Sequence, residues 1–540
     1  MSQESGELSA RSDQPSAYDE QISPLEQQFE RWRKIAGVFL TPIAFFLVYW
    51  QCDGLTPQGR TLSAILAAVG VMWISEVIPL PVTALLGASL CVILGVADVK
   101  KTMGYFADPI VFVFLGGFMI ARAMSVHQLD RRIALYFLSI PGIGSTRLGM
   151  LAGLGIVTAG LSMWVSNTAT TAMMLPIGLG MLRAIHHLRV ARNEIQGEMN
   201  ARTWPFATGM MLMVAYGASL GGIGTPVGSP PNLIGIGLIR NAVKNPDGTP
   251  YEIGFFTWMM LSVPLMLVMG IALFGILYLL HRDRSVKRTS VTGAEVMQYI
   301  HEERDKLGGW TRGQVNTMIG FIVAVVLWVL PGVLALPIFQ SMPDVQAMGV
   351  WMNKRLPEST VAIIAAVLLF MLPTRLSKGE FTLTWHEAQK IDWGTILLFG
   401  GGLALGSLMF ETKVAEAMGK GLTSQIGAQS LWALTALSIA MAIVLSEATS
   451  NTASANMVIP VVIAISLAAG VSPIPPALGA CLGSSYGFML PVSTPPNAIV
   501  YGSGLVPLQR MMRAGIVFDI IGFVIILAGL RVMCPLLGLI

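Results

Sequence analysis

Ser166-Asn167-Thr168-Ala169-Thr170-Thr171-Ala172-Met173-Met174-Leu175-Pro176 returns later in the chain as Ser450-Asn451-Thr452-Ala453-Ser454-Ala455-Asn456-Met457-Val458-Ile459-Pro460. From 166 to 450 is an offset of 284 residues, and Ser-Asn-Thr-Ala, a Met and a Pro keep their places. Each copy puts three hydrogen-bonding side chains into a strongly apolar run. Polar groups in hydrocarbon are costly unless they line a cavity or bind something. One such copy reads equally well as Ser and Thr bonding back within a helix. Two copies in register point to a secondary transporter with a midplane site.

Composition sets the frame. Of 540 residues, 54% are hydrophobic and 12% charged, about half the charge of an ordinary soluble domain, which is about 25%. Apolar runs long enough to span a bilayer recur from about residue 35 onward. The chain is therefore expected to be an all-α polytopic membrane protein with about 11 transmembrane helices. A net charge of +4 is modest and its basic residues sit in connecting segments, so no nucleic-acid partner is expected. Cys52, Cys91, Cys481 and Cys534 have neither paired nor ligand spacing, which argues against a disulfide framework or a structural metal.

The first thirty residues are acidic and polar, with one Arg11, and lack the basic start and apolar core of a secretory signal. They read as a disordered tail. Arg31, Arg33 and Lys34 abut the first span and by the positive-inside rule keep the N-terminus cytoplasmic. Candidate spans cover 35–50, 61–78 and a third to Gly95. Pro79 and Pro81 break the chain after Glu76, an interfacial acid that reads first as a solvated or hydrogen-bonded structural group.

Asp108-Pro109 has the form of an N-cap followed by Pro. It opens the apolar stretch Ile110–Met124, whose Gly116-Gly117 pair suits a re-entrant hairpin. Asp392-Trp393 and Gly400-Gly401-Gly402 are its counterpart, Gly116 and Gly401 lying 285 residues apart. Two landmarks at nearly one spacing indicate an internal duplication. Arg183, His186, His187, Arg189 and Arg192 read as a basic, solvated loop. The stretch Gly221-Gly222-Ile223-Gly224-Thr225-Pro226-Val227-Gly228-Ser229-Pro230-Pro231-Asn232 cannot continue a helix, nor does it fit a nucleotide loop. It reads as an unwound segment facing a cavity. Pro491-Val492-Ser493-Thr494-Pro495-Pro496-Asn497 answers it at an offset of 265. These landmarks divide the chain into a tail (1–34), a first half (35–281), a cytoplasmic linker lying along the membrane (282–314) and a second half (315–540).

The four polar breaks offer hydroxyls, amides, backbone carbonyls and helix-end amides. Carbonyl and hydroxyl oxygens suit a hard monovalent cation; amides and helix N-termini suit a carboxylate. Glu447, three residues before Ser450, either carries a coupling proton or braces the turn. An enzyme would need a base or metal at the breaks. None of the six histidines, His127, His186, His187, His281, His301 and His386, lies in them. No organic cofactor is called for. Oxygen-lined breaks also build channel filters, but twofold repeats with paired hairpins favour a carrier.

At these residues the chain resembles the divalent anion:sodium symporter family, the sodium-coupled di- and tricarboxylate carriers. The paired Ser-Asn-Thr motifs, Gly228-Ser229-Pro230-Pro231-Asn232 and Pro491–Asn497 carry the match, with a further likeness at Glu76–Leu86. The resemblance implies an inverted-repeat, elevator-type fold with two re-entrant hairpins and unwound helices, working as a homodimer in lipid. It implies one sodium site on Ser162, Ser166, Asn167 and Gly228, and a second on Ser446, Thr449, Asn451 and Ser493. Substrate carboxylates would meet Asn167, Thr168, Ser229, Ser450, Asn451, Thr452 and Pro495. Both motifs end in Thr, as in dicarboxylate-preferring members, which favours C4-dicarboxylates such as succinate, malate and fumarate. Sodium-independent exchangers and citrate or sulfate carriers of the same family are the alternatives. The lack of N-linked or sorting features points to a bacterial inner membrane.

Overall fold

The computed structural model describes residues 24–143, 146–191, 199, 204–282, 293–339, 341–426 and 430–540. Among these residues the chain is helical but for one two-stranded ribbon, Pro373–Arg375 with Glu380–Phe381. Ten helices are long and apolar enough to cross a membrane, and shorter apolar helices fill the spaces between them. The expected tail lies outside the described residues up to 23; from Pro24 the chain is already in α1 (Pro24–Gln51).

The helices stop where the sequence says they must. α2 (Pro57–Ser75) ends at Glu76, which sits in the left-handed region (φ 48°) and pairs with Arg33 at 3.1 Å. That is the structural role an interfacial acid was expected to have. Prolines then start α3 (Leu80–Ile93). Asp108 caps α4 (Pro109–Val126) by accepting from Ile110 N at 2.9 Å, and Arg240 pairs with the same carboxylate. α4 is one continuous, largely buried helix, not a re-entrant hairpin. Its glycine serves close packing: a methyl on Gly116 would lie 2.4 Å from the backbone of Ala362 in the later helix Glu358–Met371.

The reversals lie instead at the Ser-Asn-Thr motifs. α5 (Leu129–Leu138) leads to α6 (Arg147–Ser162), which turns over residues 163–166 into α7 (Asn167–Ala191). Arg183, His186, His187 and Arg189 belong to the far end of α7, not to a loop, while Arg192 lies outside the described residues. The run Leu179–Ala191 is rich in helix-favouring residues, so the helix continues beyond its apolar part. α8 (Pro205–Gly221) is buried almost throughout; the chain unwinds over 222–229 and re-enters α9 (Pro230–Ala242). α10 (Phe255–Leu280) shows Leu267, Val268, Ile271 and Leu279 on its outer face, apolar on all sides as a lipid-facing helix must be. In the linker, α11 (Gly293–Asp305) packs on α7 and α5. The expected surface helix is thus docked on the protein.

The second half repeats this order. α12 (Arg312–Leu334) and α13 (Glu358–Met371) precede α14 (Trp393–Glu411), capped by Asp392 accepting from Thr395 N at 3.0 Å. α14, like α4, runs unbroken through its glycines. α15 (Val414–Ile426) precedes α16 (Leu431–Ala448), which turns into α17 (Asn451–Ala468). Then α18 (Ile474–Gly483) unwinds before α19 (Pro495–Tyr501), and α20 (Leu508–Leu536) closes the chain. The halves exchange partners. α4 packs on α13 and α14 on α3, α9 on α17 and α19 on α7, α10 on α20. A methyl on Gly401 would meet Ala84 of α3 at 2.6 Å, mirroring Gly116 on Ala362. Burying each half against the other makes one interior of both.

Candidate functional site

The two hairpin tips and the two unwound loops meet around one cavity of about 780 Å³. Ser166, Asn167 and Thr168 line it from one tip, Ser450, Asn451 and Thr452 from the other, Gly228 and Ser229 from the first loop, Ser493 and Pro495 from the second. Ser162, Ser446 and Thr449 stand behind this wall, buried. Every residue expected to touch substrate thus lies on the wall.

Each tip is held by the same short device. Ser162 Oγ donates to Asn167 Oδ1 at 2.7 Å, and Ser446 Oγ reaches Asn451 Oδ1 at 2.8 Å. Ser166 and Ser450 act as N-caps, accepting from Ala169 N at 3.3 Å and Ala453 N at 3.2 Å. A serine here satisfies an orphan N–H at a helix start, so the motif is local helix chemistry as well as lining. α7, α9 and α17 therefore begin at the cavity, and so does the short α19, whose first positions are Pro495 and Pro496 and whose Asn497 N–H is taken by the Thr494 hydroxyl.

The loops are held by the asparagines at their ends. Asn232 Nδ2 donates to Gly222 O at 2.8 Å and Thr225 O at 2.7 Å; Asn497 Nδ2 donates to Gly487 O at 2.9 Å and Leu490 O at 3.0 Å. The unwound carbonyls are thereby fixed without a helix. Thr225 Oγ1 donates to Met163 O, tying the first loop to the first tip. Glycine permits the approach: a methyl on Gly222 would lie 2.4 Å from Asn167 Oδ1, and one on Gly228 would lie 2.6 Å from Gly222 O and 2.9 Å from Met163 O. Near Gly487 the neighbours are Ser446 O and Asn451 Oδ1, at 3.1 Å and 3.3 Å from such a methyl. Clusters of neutral oxygens thus form beside each tip.

Two residues expected at the second cluster are otherwise engaged. Thr449 Oγ1 points away to Trp73 O at 3.3 Å, and Ser493 Oγ donates to Glu447 Oε2 at 2.7 Å and lies 3.1 Å from Glu447 O. Glu447 also accepts from Phe488 N at 2.6 Å and Met489 N at 2.8 Å. It braces the second loop against the second tip, one of its two expected roles.

The cavity carries charge that the motifs do not foretell. Arg122, Lys390 and Asp392 lie on its wall. Glu387 pairs with Arg122 and with Lys390 at 2.7 Å. Lys390 foremost, then Arg122, holds the Glu387 carboxyl down to about 2. Glu387 and Lys390 are an i,i+3 pair, but no spacing in the sequence joins them to Arg122, because that contact runs between α4 and the segment before α14.

The family model described as sodium:sulfate symporter transmembrane region matches residues 29–540. An uncharacterized transporter of Haemophilus influenzae is 32% identical over 497 residues, covering 92% of this chain and 96% of that protein. The sodium-dependent dicarboxylate transporter SdcS of Staphylococcus saprophyticus is 30% identical over 506 residues, covering 93% and 92%. Among solved structures, Neisseria gonorrhoeae MtrF, described within a class of antimetabolite efflux pumps, shares the fold. Its TM-score is 0.50 at 12% identity, over 90% of this chain and 96% of that one. With its motifs, its paired tips and a match over nearly its whole length, the chain belongs to the sodium:sulfate symporter family of membrane transporters.

Proposed function

We propose that the chain is a sodium-coupled symporter of C4-dicarboxylates such as succinate, malate and fumarate. The observation that carries the reading is the convergence of α7, α9 and α17 by their N-termini on a cavity lined by neutral hydroxyls and amides. A helix N-terminus presents roughly half a positive charge, so three of them suit a dianion held by both ends; α7 and α17 add free N–H groups, whereas α9 opens on Pro230-Pro231 and adds its dipole. Asn167, Thr168 and Ser229 would take one carboxylate, and Ser450, Asn451, Thr452 and Pro495 the other. Sodium, carried as co-substrate, would meet Ser162, Ser166, Asn167 and Gly228 at the first tip. At the second it would meet Ser446, Asn451, Ser493 and the backbone of Thr449. The similarity to a protein named as a sodium-dependent dicarboxylate transporter supports this choice of substrate.

The same reading takes the protein as a homodimer in a bacterial inner membrane with its N-terminus in the cytoplasm. The tips and loops would move as one transport body against a scaffold, elevator fashion. Competition identifies the substrate. Unlabelled malate and fumarate should displace labelled succinate during uptake into proteoliposomes, and citrate and sulfate should do so weakly. Stronger displacement by citrate or sulfate would reassign the substrate within the family.

A further inference from the structure

Behind the second tip, α20 carries an acid into an apolar interior. Asp519 is 6% exposed, and with both acids ionised neither of its oxygens has a donor; among the described residues the Glu447 carboxyl is the one side chain it can bond, by a shared proton. The Glu447 carboxylate faces it, and Glu447 is itself only 8% exposed. Among the described residues the charge that acts on Asp519 is that of another acid, Glu447. Tyr486 is 1% exposed, lies close to Asp519, and its hydroxyl also lacks a partner. Gly522, one turn beyond Asp519, leaves room for that ring: a methyl there would lie 2.8 Å from the hydroxyl oxygen.

Buried polar groups without partners are rare, and buried acids facing each other without a counter-charge are rarer. Glu447 is held as an acceptor by two backbone N–H groups and the Ser493 hydroxyl. A proton shared between the two acids would leave one Asp519 oxygen and the Tyr486 oxygen still unpartnered. A hard monovalent cation would engage them all, because such ions take several oxygen ligands, carboxylate and hydroxyl alike.

We propose that Glu447, Asp519 and Tyr486 form a third sodium site, set between the second unwound loop and α20 and joined to the second tip through Ser493. This rests on the sodium-coupled reading above. Occupancy would cut the charge of the acid pair from two to one and stiffen the Tyr486–Met489 turn, from which the second cluster of oxygens hangs. Binding at one site would thus favour binding at the other.

The test compares the full-length protein with Asp519→Asn and Tyr486→Phe in two assays. Reversal potentials of dicarboxylate flux in proteoliposomes give the number of sodium ions per substrate. Thermal melting of purified protein against NaCl, with choline chloride as control, gives sodium binding without transport. Asp519→Asn should lose one sodium ion per cycle, and both variants should need several-fold more NaCl for the same thermal shift. Unchanged stoichiometry with an unchanged thermal titration would overturn the site. A change in pH dependence alone, with sodium dependence intact, would overturn it in favour of a proton site. If Asp519→Asn fails to fold, Tyr486→Phe decides by its thermal titration. Uptake by the unaltered protein that ignores sodium would sink the transport reading separately, and the thermal titration would still judge the site.

Discussion

Ser446 stands to Asn451 as Ser162 stands to Asn167: in each tip a serine hydroxyl meets the amide oxygen five residues on, at 2.8 Å and 2.7 Å. The bond closes the turn with a side chain that also lines the cavity. Removing either amide takes away the brace and a cavity-lining side chain together. Asn167→Ala and Asn451→Ala should each abolish uptake while the protein still elutes as a folded species on size exclusion. Normal transport by either variant would contradict the site.

Gly222 and Gly487 are equivalent in place but not in room. A methyl on Gly222 would meet Asn167 Oδ1 at 2.4 Å, whereas on Gly487 its neighbours begin at 3.1 Å. Overpacking costs about 1–3 kcal/mol, so Gly222→Ala should displace Asn167 and remove most transport. Gly487→Ala should retain a large part. Initial uptake rates of the two variants, normalised to reconstituted protein, check this order.

Asn232 is fully buried and holds two carbonyls of its loop. Asn232→Ala leaves both without that donor, and each buried group so stranded costs about 1–3 kcal/mol. The variant should melt at lower temperature than Asn497→Ser, whose short hydroxyl keeps a donor in the second loop. Thermal melting in detergent decides it; equal melting temperatures would show the loops to be held by other means.

Glu387 pairs with both Arg122 and Lys390 at the cavity wall and offsets one of their two charges. In Glu387→Gln the two cations are released, so the half-saturation for a dianionic substrate should fall at low ionic strength. The gain should vanish when salt screens it. The pH behaviour follows from the depressed carboxyl. Its ion pairs are fully formed above its ordinary value of 4.5 and are lost only as pH falls through about 2. Between about pH 5 and 8 the variant and the parent should therefore share one pH profile. Substrate titrations at two salt concentrations and several pH values test both points.

The site was legible in the sequence because its residues break rules that apolar runs otherwise obey. Asn167 and Asn451 are amides in hydrocarbon, and the Pro-Pro-Asn loops cannot be helix. The hairpins were misplaced because Gly116-Gly117 and Gly400-Gly401-Gly402 read as turns. A glycine marks close approach as readily as reversal, and here it admits Ala362 and Ala84 from the other half. The true reversals carry no Gly-Pro signal: Met163-Trp164-Val165 is apolar, and the turn follows from the serine cap at 166. The pairing of Arg122 with Glu387, and of the facing acids Glu447 and Asp519, was out of reach because contacts between distant segments leave no local periodicity.

The most direct test of sodium-coupled dicarboxylate transport is uptake of labelled succinate into proteoliposomes, with an inward sodium gradient compared against choline. A parallel set carries unlabelled succinate inside. Uptake that requires sodium and proceeds without internal substrate is the expected result. Uptake that ignores sodium and requires internal dicarboxylate would contradict it, leaving the cavity residues in place and making the protein an exchanger.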